Sequence, residues 1–221
     1  MADDSAAEKS APTLVACYQA ACARMTTASQ TRAVLASAGT NSATSPNRVR
    51  KPPPHHNKVR PQRSVVAACA AVDALSAAPP PAAAASTTPL VSIASVGGEF
   101  EVSLDMRTAY LGDQGAAALL VALADWGGAS PVAIVAINMA GAGLRQGAVE
   151  ALVDFLGSAG GRRVKRCDVS GNEFLAVSAG MVLTARAAEW PAMQDFRISG
   201  TNIPAHHVKR IAEACSGAQE V

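Results

Sequence analysis

Apolar positions in the C-terminal half of the chain follow a pattern that four segments share: EVSLDMRTAYL at 101–111, IVAINMAGAGL at 134–144, VKRCDVSGNEF at 164–174 and MQDFRISGTNI at 193–203. In each, the fourth, sixth and eleventh positions are apolar, and the ninth holds Ala109, Ala142, Asn172 or Thr201. The alternation around the fourth and sixth positions is that of a strand with one buried face. The fourth positions, Leu104, Ile137, Cys167 and Phe196, are spaced by 33, 30 and 29 residues. Each segment is followed by a stretch with helical spacing: Gln114 to Ala124, Gln146 to Leu156, Ala176 to Ala188 and Ala205 to Ala214. Ala117, Leu120, Val121 and Ala124 recur at three- and four-residue steps, as do Ala148, Leu152 and Phe155. The pattern predicts four strand–helix units.

Such an alternation suits either a doubly wound sheet or a stack of repeats. The strands of a doubly wound sheet are covered on both faces and read as continuous apolar runs. Here the intervening residues are Ser103, Asp105, Arg107, Asn138, Arg166, Asp168, Asp195 and Arg197, so one sheet face is expected to be wet. In a parallel stack, equivalent positions lie about 4.8 Å apart. One column then runs Ser103, Ala136, Arg166, Asp195 and the next Asp105, Asn138, Asp168, Arg197. That register sets Arg166 beside Asp195 and Asp168 beside Arg197, two exposed opposite-sign neighbours worth about 0.2–1 kcal/mol each.

The four segments follow L-x-x-L-x-L-x-x-N/C-x-L, and in this they resemble the ribonuclease-inhibitor class of leucine-rich repeats. The run from Leu111 through Asp113 into the alanines is similar to that family's turn from strand to helix, and Asp168 to Asn172 to its strand end with asparagine. The resemblance implies an α/β fold: a short leucine-rich-repeat solenoid of about four strand–helix repeats over 90–221. It also implies that the Asn172 side chain bonds backbone groups of the turn. Ala109, Ala142 and Thr201 depart from the asparagine, which makes the solenoid a degenerate one. A partner-binding concave face in the family's manner would comprise Asp105, Arg107, Tyr110, Asn138, Arg166, Asp168, Asp195 and Arg197. Ran GTPase-activating proteins share the repeat type, and Arg107 is the nearest arginine to a strand end; nothing else in the sequence supports that assignment.

Residues 1–89 are dominated by Ala, Ser, Thr and Pro and contain no Trp or Phe, so they offer little for a core. They are expected to form a long, mostly irregular, low-complexity extension, disordered or ordered by partners, containing one or two helices. One helix is expected between Pro12 and Gly39 on the stripe Leu14, Val15, Tyr18, Cys22, Met25, and a second from Ser64 to Ala77 on Val65, Val66, Cys69, Val72, Leu75. Terminal repeats need a cap, and these helices are candidates for it. Between them, 48–63 carries Arg48, Arg50, Lys51, Lys58, Arg60 and Arg63 with no acid, among prolines that favour extended chain. These six charges suit an acidic protein surface or RNA phosphates.

Net charge is +2 and pI about 8.3, below the values above about 9 of a dedicated nucleic-acid domain. Five widely spread cysteines without a C-x-x-C spacing suggest reduced thiols. The glycine-rich run at Gly157 to Gly161 lacks a P-loop's Lys-Ser/Thr, and the adjacent pairs His55-His56 and His206-His207 are expected to diverge. Glu150 and Asp154 read as a solvated helix surface, and Trp126 and Trp190, at helix ends, as lids on the core. No catalytic residue, metal site or cofactor is expected.

The expectation is therefore a non-enzymatic structural subunit of a large multi-subunit assembly. Ciliary doublet microtubules come first, with acidic tubulin as partner. A peripheral protein of a ribosome-like particle, with RNA contacts, comes second, and a soluble adaptor using the concave face third. No membrane and no small-molecule substrate enter this reading. The expected location is cytoplasmic or axonemal, with a mitochondrial alternative resting on Arg24 and Arg32 in an Ala/Ser/Thr-rich early helix.

Overall fold

The computed structural model describes residues 12–38, 59–77, 90–96, 99–127 and 132–217, of which 29–38, 76–77 and 217 are described as backbone only. In chain order it contains α1 (Leu14–Ala38), α2 (Arg63–Ala77), β1 (Val91–Val96), β2 (Glu99–Asp105), α3 (Gly112–Trp126), β3 (Val132–Asn138) and α4 (Gln146–Gly157). These are followed by β4 (Arg166–Asp168), α5 (Val177–Arg186), a 3-10 turn at Ala187–Glu189, β5 (Asp195–Arg197) and α6 (Ala205–Gly217). The architecture is mixed α/β, with one sheet of order β1-β2-β3-β4-β5. β1 runs antiparallel to β2, and every later neighbour is parallel. Among the described residues, no helix is long and apolar enough to cross a membrane.

Strand alternation sends Phe100, Val102, Leu104 and Met106 into the core and leaves Glu101, Ser103 and Asp105 on the other face. Helices α3 to α6 pack in sequence, each on the next. The polar columns expected from the sequence are the observed register: Ser103, Ala136, Arg166 and Asp195 are successive partners, as are Asp105, Asn138, Asp168 and Arg197. The alignment of segments is off by one at its first position. Val102, not Glu101, pairs with Ile134, and a shift after Val102 restores the match at Ser103. The polar Glu101 is thereby kept out of the core.

Pairing continues past the strands into the turns. Met106, Met139 and Val169 amides donate to Asn138, Asp168 and Arg197 carbonyls at 2.7, 2.8 and 2.9 Å. Two residues further on, Gly141 donates to Ser170 and Gly171 to Ser199, both at 2.8 Å. Gly141, Gly171 and Gly200 all have φ between 64° and 68°, a left-handed conformation that glycine adopts without Cβ strain. Asn172 fills the gap where the chain leaves the ladder. Its Oδ1 accepts from the Gly143 and Leu144 amides at 2.9 and 3.0 Å, and its Nδ2 donates to the Val169 and Met139 carbonyls at 2.7 and 3.1 Å. The expected Phe174 is not the core residue after this turn. Leu175 is buried there and Phe174 points outward, because this turn is one residue longer.

α4 begins without a side-chain cap of its own. Asp113 from α3 supplies one, its Oδ1 accepting from the Arg145 and Ala148 amides at 2.8 Å each. A carboxylate there also meets the positive end of the helix dipole. The same device starts α1: Asp73 of α2 accepts from Leu14 and Val15 at 2.6 and 3.0 Å.

The N-terminal helices depart from the expectation of a segment poor in core. Leu14, Cys17, Tyr18, Ala21 and Cys22 of α1 and Val65, Ala68, Cys69, Val72 and Leu75 of α2 belong to the same buried cluster as the strands. α1 packs on α3, and α2 packs on α1. The alanines that look like low complexity are what permits this. In α3, Ala116, Ala117, Ala118 and Ala122 are buried beside Leu119, Leu120 and Leu123, so the helix is covered by neighbours on more than one side. β1, unforeseen, pairs antiparallel with β2 and takes its place as the edge strand. Trp190 is buried and stacks on Phe196 at 5.4 Å; Trp126 is half-buried against the core.

At the other end, the rings of His206 and His207 lie with centroids 4.2 Å apart, so the pair does not diverge as expected. The buried His207 is bonded through Nδ1 to Thr184 Oγ1 at 3.0 Å. Since that hydroxyl donates to the Gly180 carbonyl at 2.7 Å, Nδ1 carries the proton and donates.

Two measurements check this account. Asn172→Ala removes the acceptor of the Gly143 and Leu144 amides and the donor to the Val169 carbonyl in a buried turn, while the Met139 carbonyl keeps the Ala142 amide, and urea denaturation should show a loss of about 2–4 kcal/mol. Burial, then His206 and Arg210, lower the pKa of His207 below the ordinary imidazole value. As pH falls below about 6.5 the unfolded chain takes up the proton first, so stability should fall between that pH and the lowered folded value. His207→Gln should flatten the slope of urea midpoint against pH over this window.

Candidate functional site

The face of the sheet away from the helices holds a recess of about 270 Å³. Six of the eight expected residues line it: Asp105, Asn138, Arg166, Asp168, Asp195 and Arg197. Ser103 and Ala136 complete the first column, and Ser92 of β1 adds a hydroxyl at its edge. Ser92 was missed because β1 was not foreseen; its alternation is short, with only Val91 buried and Ile93 half-buried.

The second column has a backbone task. Asp105, Asn138 and Asp168 each accept, through Oδ1, the amide two residues on, from Arg107, Ala140 and Ser170 at 3.2, 3.1 and 2.9 Å. These are Asx turns that end the strands. Arg197 occupies the fourth place and cannot make one.

Ion pairing differs from the expected cross-strand neighbours. Arg197 bonds Asp195 on its own strand, Nη2 to Oδ2 at 2.8 Å, and Arg107 forks onto Asp105 with contacts of 2.6, 3.0 and 3.1 Å. Residues two apart on a strand share a face, and Asp168, the cross-strand alternative for Arg197, already accepts the Ser170 amide. The Arg107 hydrogen bond holds the Asp105 carboxyl below the ordinary carboxylate range, against a smaller opposing effect of burial. Asp168 stays within electrostatic reach of both Arg107 and Arg197.

Two further pairs, invisible in the column reading, span β3. Lys165 Nζ reaches Glu101 at 2.8 Å, and Arg163 pairs with Glu99. Ala133 and Ala136 of β3 are small, and an alanine between an acid and a base two strands apart is the signal that could have suggested such a bridge. After these pairings, Arg166 alone of the cations on this face has no side-chain partner among the described residues, because Asp195, its register neighbour, is held by Arg197. Its side chain is exposed.

Compared with known family models, curated proteins and solved structures, the chain matches none. The function therefore rests on the geometry alone.

Arg107 sits at the strand end as the partner of Asp105 and does not line the recess. Tyr110, expected on the sheet face, lies beyond it in the turn to α3. The residue is 85 % exposed, its φ is +48°, and its carbonyl accepts from Gln62 Nε2 at 3.2 Å. The next unit has Gly143 at this place, with φ +77°. Of the basic segment, Arg48, Arg50, Lys51 and Lys58 lie outside the described residues; Arg60 and Arg63 are exposed at the start of α2.

Chemically the recess can bind and orient, by hydroxyl, amide and one free guanidinium. Cys167, beneath it, is fully buried, and burial pushes its thiol well up, away from nucleophilic thiolate. Burial likewise pushes Cys69 up to about 12. Among the described residues, no group of three His, Cys, Asp or Glu is placed to hold a metal ion.

A bulky residue at positive φ is strained by about 1–2 kcal/mol. Tyr110→Gly should therefore raise stability by about 1 kcal/mol in urea denaturation, since the exposed ring contributes no burial that would be lost. A loss of stability instead would show that the ring packs on something.

Proposed function

We propose that the chain is a non-enzymatic scaffold subunit, built as a short leucine-rich-repeat solenoid, that holds protein neighbours in a larger assembly. The solenoid reading is supported by the unit-to-unit register, the ladder of turn glycines and the hydrogen bonding of Asn172. The binding reading is carried by one observation: the open face pairs most of its own charges and leaves the Arg166 guanidinium, with the Asp168 carboxylate two residues on, without an ion-pair partner among the described residues. A partner segment that brings a carboxylate to Arg166 gains a charge-assisted hydrogen bond without breaking any pair already made.

The partner is thus an acidic protein surface. The basic stretch at 48–63 has the same preference, and together they favour a tubulin-containing assembly such as a doublet microtubule. An RNA-containing particle is the competing setting. Phosphates would also attract Arg166, and because the carboxylates around the recess oppose an extended run of negative charge of either kind, the contact there is with a single acidic group.

Co-sedimentation of the full chain with microtubules polymerised from purified tubulin tests this. The chain should pellet with them, and Arg166→Glu should lower the bound fraction about tenfold, the cost of replacing an attractive contact by a like-charge one. Pelleting that Arg166→Glu leaves unchanged rules out the open face as the contact. Preferential binding to an RNA homopolymer would overturn the tubulin setting.

A further inference from the structure

The outward faces of three successive helices differ in kind. α4 shows Glu150 and Asp154, neither paired with a cation among the described residues. α6 shows Lys209, Arg210 and Glu213, with Lys209 and Glu213 in a loose pair at 3.7 Å. α5, between them, shows an uncharged stripe: Val177, Met181 and Ala185 at four-residue steps, continued by Ala188 and preceded by Phe174. Phe174, Val177 and Met181 are 61, 52 and 60 % exposed, while Ala179, Gly180 and Leu183 on the opposite side of the helix are buried. The Arg145 guanidinium stands over the Phe174 ring at 4.3 Å and holds it in place. Most large apolar side chains among the described residues are buried, so Phe174 just before α5 and Val177 and Met181 on it, aligned on one exposed face, mark a contact surface.

We infer that this stripe is the centre of a two-fold interface with a second copy of the chain, with α4 of each copy lying against α6 of the other. The charge arrangement selects both occupant and orientation. A two-fold axis along α5 carries the acidic flank of one copy onto the basic flank of its mate. An axis across α5 would instead face α4 with α4, acid against acid. Because α4 and α6 start at equivalent places in their units, the axis along α5 brings Glu150 level with Lys209 and Arg210 of the mate. It also brings Asp154 level with Glu213, the one unfavourable apposition. A stable interface buries about 800 Å² per partner. α5 has ten residues, about 15 Å of helix, and cannot supply that alone, so the flanks must take part.

The test is analytical ultracentrifugation of the full chain over a concentration series. A reversible dimer is expected, with a dissociation constant on the order of micromolar, as for a modest interface. Met181→Asp, at an exposed position that folding does not use, should leave monomer throughout. Glu150→Lys should weaken association about tenfold. Glu213→Lys, which turns the unfavourable apposition into a pair with Asp154, should strengthen it several-fold, a gain that a disturbed fold would not give. Overturning results are a monomer at the highest concentration reached, which would assign the stripe to a partner of other sequence, or a dimer that Met181→Asp does not disrupt. Weaker association of Glu213→Lys would overturn the orientation.

Discussion

Everything in the C-terminal half depends on how a parallel strand stops. A β-ladder satisfies backbone groups only while neighbours run together, and buried groups left over cost about 1–3 kcal/mol each. In this chain four strands must turn away from the sheet in the same plane, because their turns are stacked at the strand spacing. The ladder is first extended into the turns by Met106, Met139 and Val169, then by Gly141 and Gly171. Where it ends, side chains replace it: the Asx oxygens of Asp105, Asn138 and Asp168, and then Asn172, which serves two carbonyls and two amides of adjacent turns. Asn172 is 1 % exposed and fully bonded, which is why a polar residue can lie in this core.

The first edge of the sheet poses the complementary problem, since an open edge invites pairing with another chain. Here β1 pairs antiparallel with β2 and becomes the edge strand, short and with only Val91 fully buried, while α1 packs on the first strand-associated helix and α2 on α1. The chain does this with few large side chains. Alanines at 116, 117, 118, 122, 21 and 68 let helices approach closely, and close approach brings dispersion contacts that bulk would otherwise supply. Asp73 then fixes α1 on α2, and Arg24 of α1 pairs with Asp125 of α3. An Ala-rich composition can thus signal tight helix packing as well as disorder. The discriminating feature is the spacing of Leu14, Cys17, Tyr18, Ala21 and Cys22, at three- and four-residue steps.

From Ser103 onward the sequence carried the strand register, because side chains alternate with period two and a slip of one would have exposed Leu104, Ile137 and Cys167 together. The helices were equally legible from their spacing. What escaped was whatever depended on backbone detail. The one-residue excess before Leu175 and the shift after Val102 do not alter which residue types occur, only which one turns inward. The ion pairs escaped for another reason. Neighbouring columns offer every Asp a choice of Arg, and the choice falls to whichever acid is not already holding an amide, as Asp168 holds that of Ser170. Lys165 and Glu101 found each other across β3 only because alanines stand between them.

A face that balances its own charges has a particular consequence for recognition. Long-range attraction is weak, so association through it is not accelerated by steering and changes little with salt. Selectivity then comes from what a ligand would disrupt. A second acid arriving beside Arg197 or Arg107 must displace Asp195 or Asp105, and a base arriving beside either acid must displace its arginine. Each such exchange trades one exposed pair for another and gains close to nothing. Among the described residues of this face only Arg166 and Asp168 have no ion-pair partner, so an acid at Arg166 adds a charge contact without loss, and the surrounding Ser92, Ser103 and Asn138 can then fix the orientation of a neighbouring amide or hydroxyl. Pairing on this face therefore does more than stabilise the strands: of ten charged groups it leaves one guanidinium, Arg166, and one carboxylate, Asp168, two residues apart on β4, for a partner to meet.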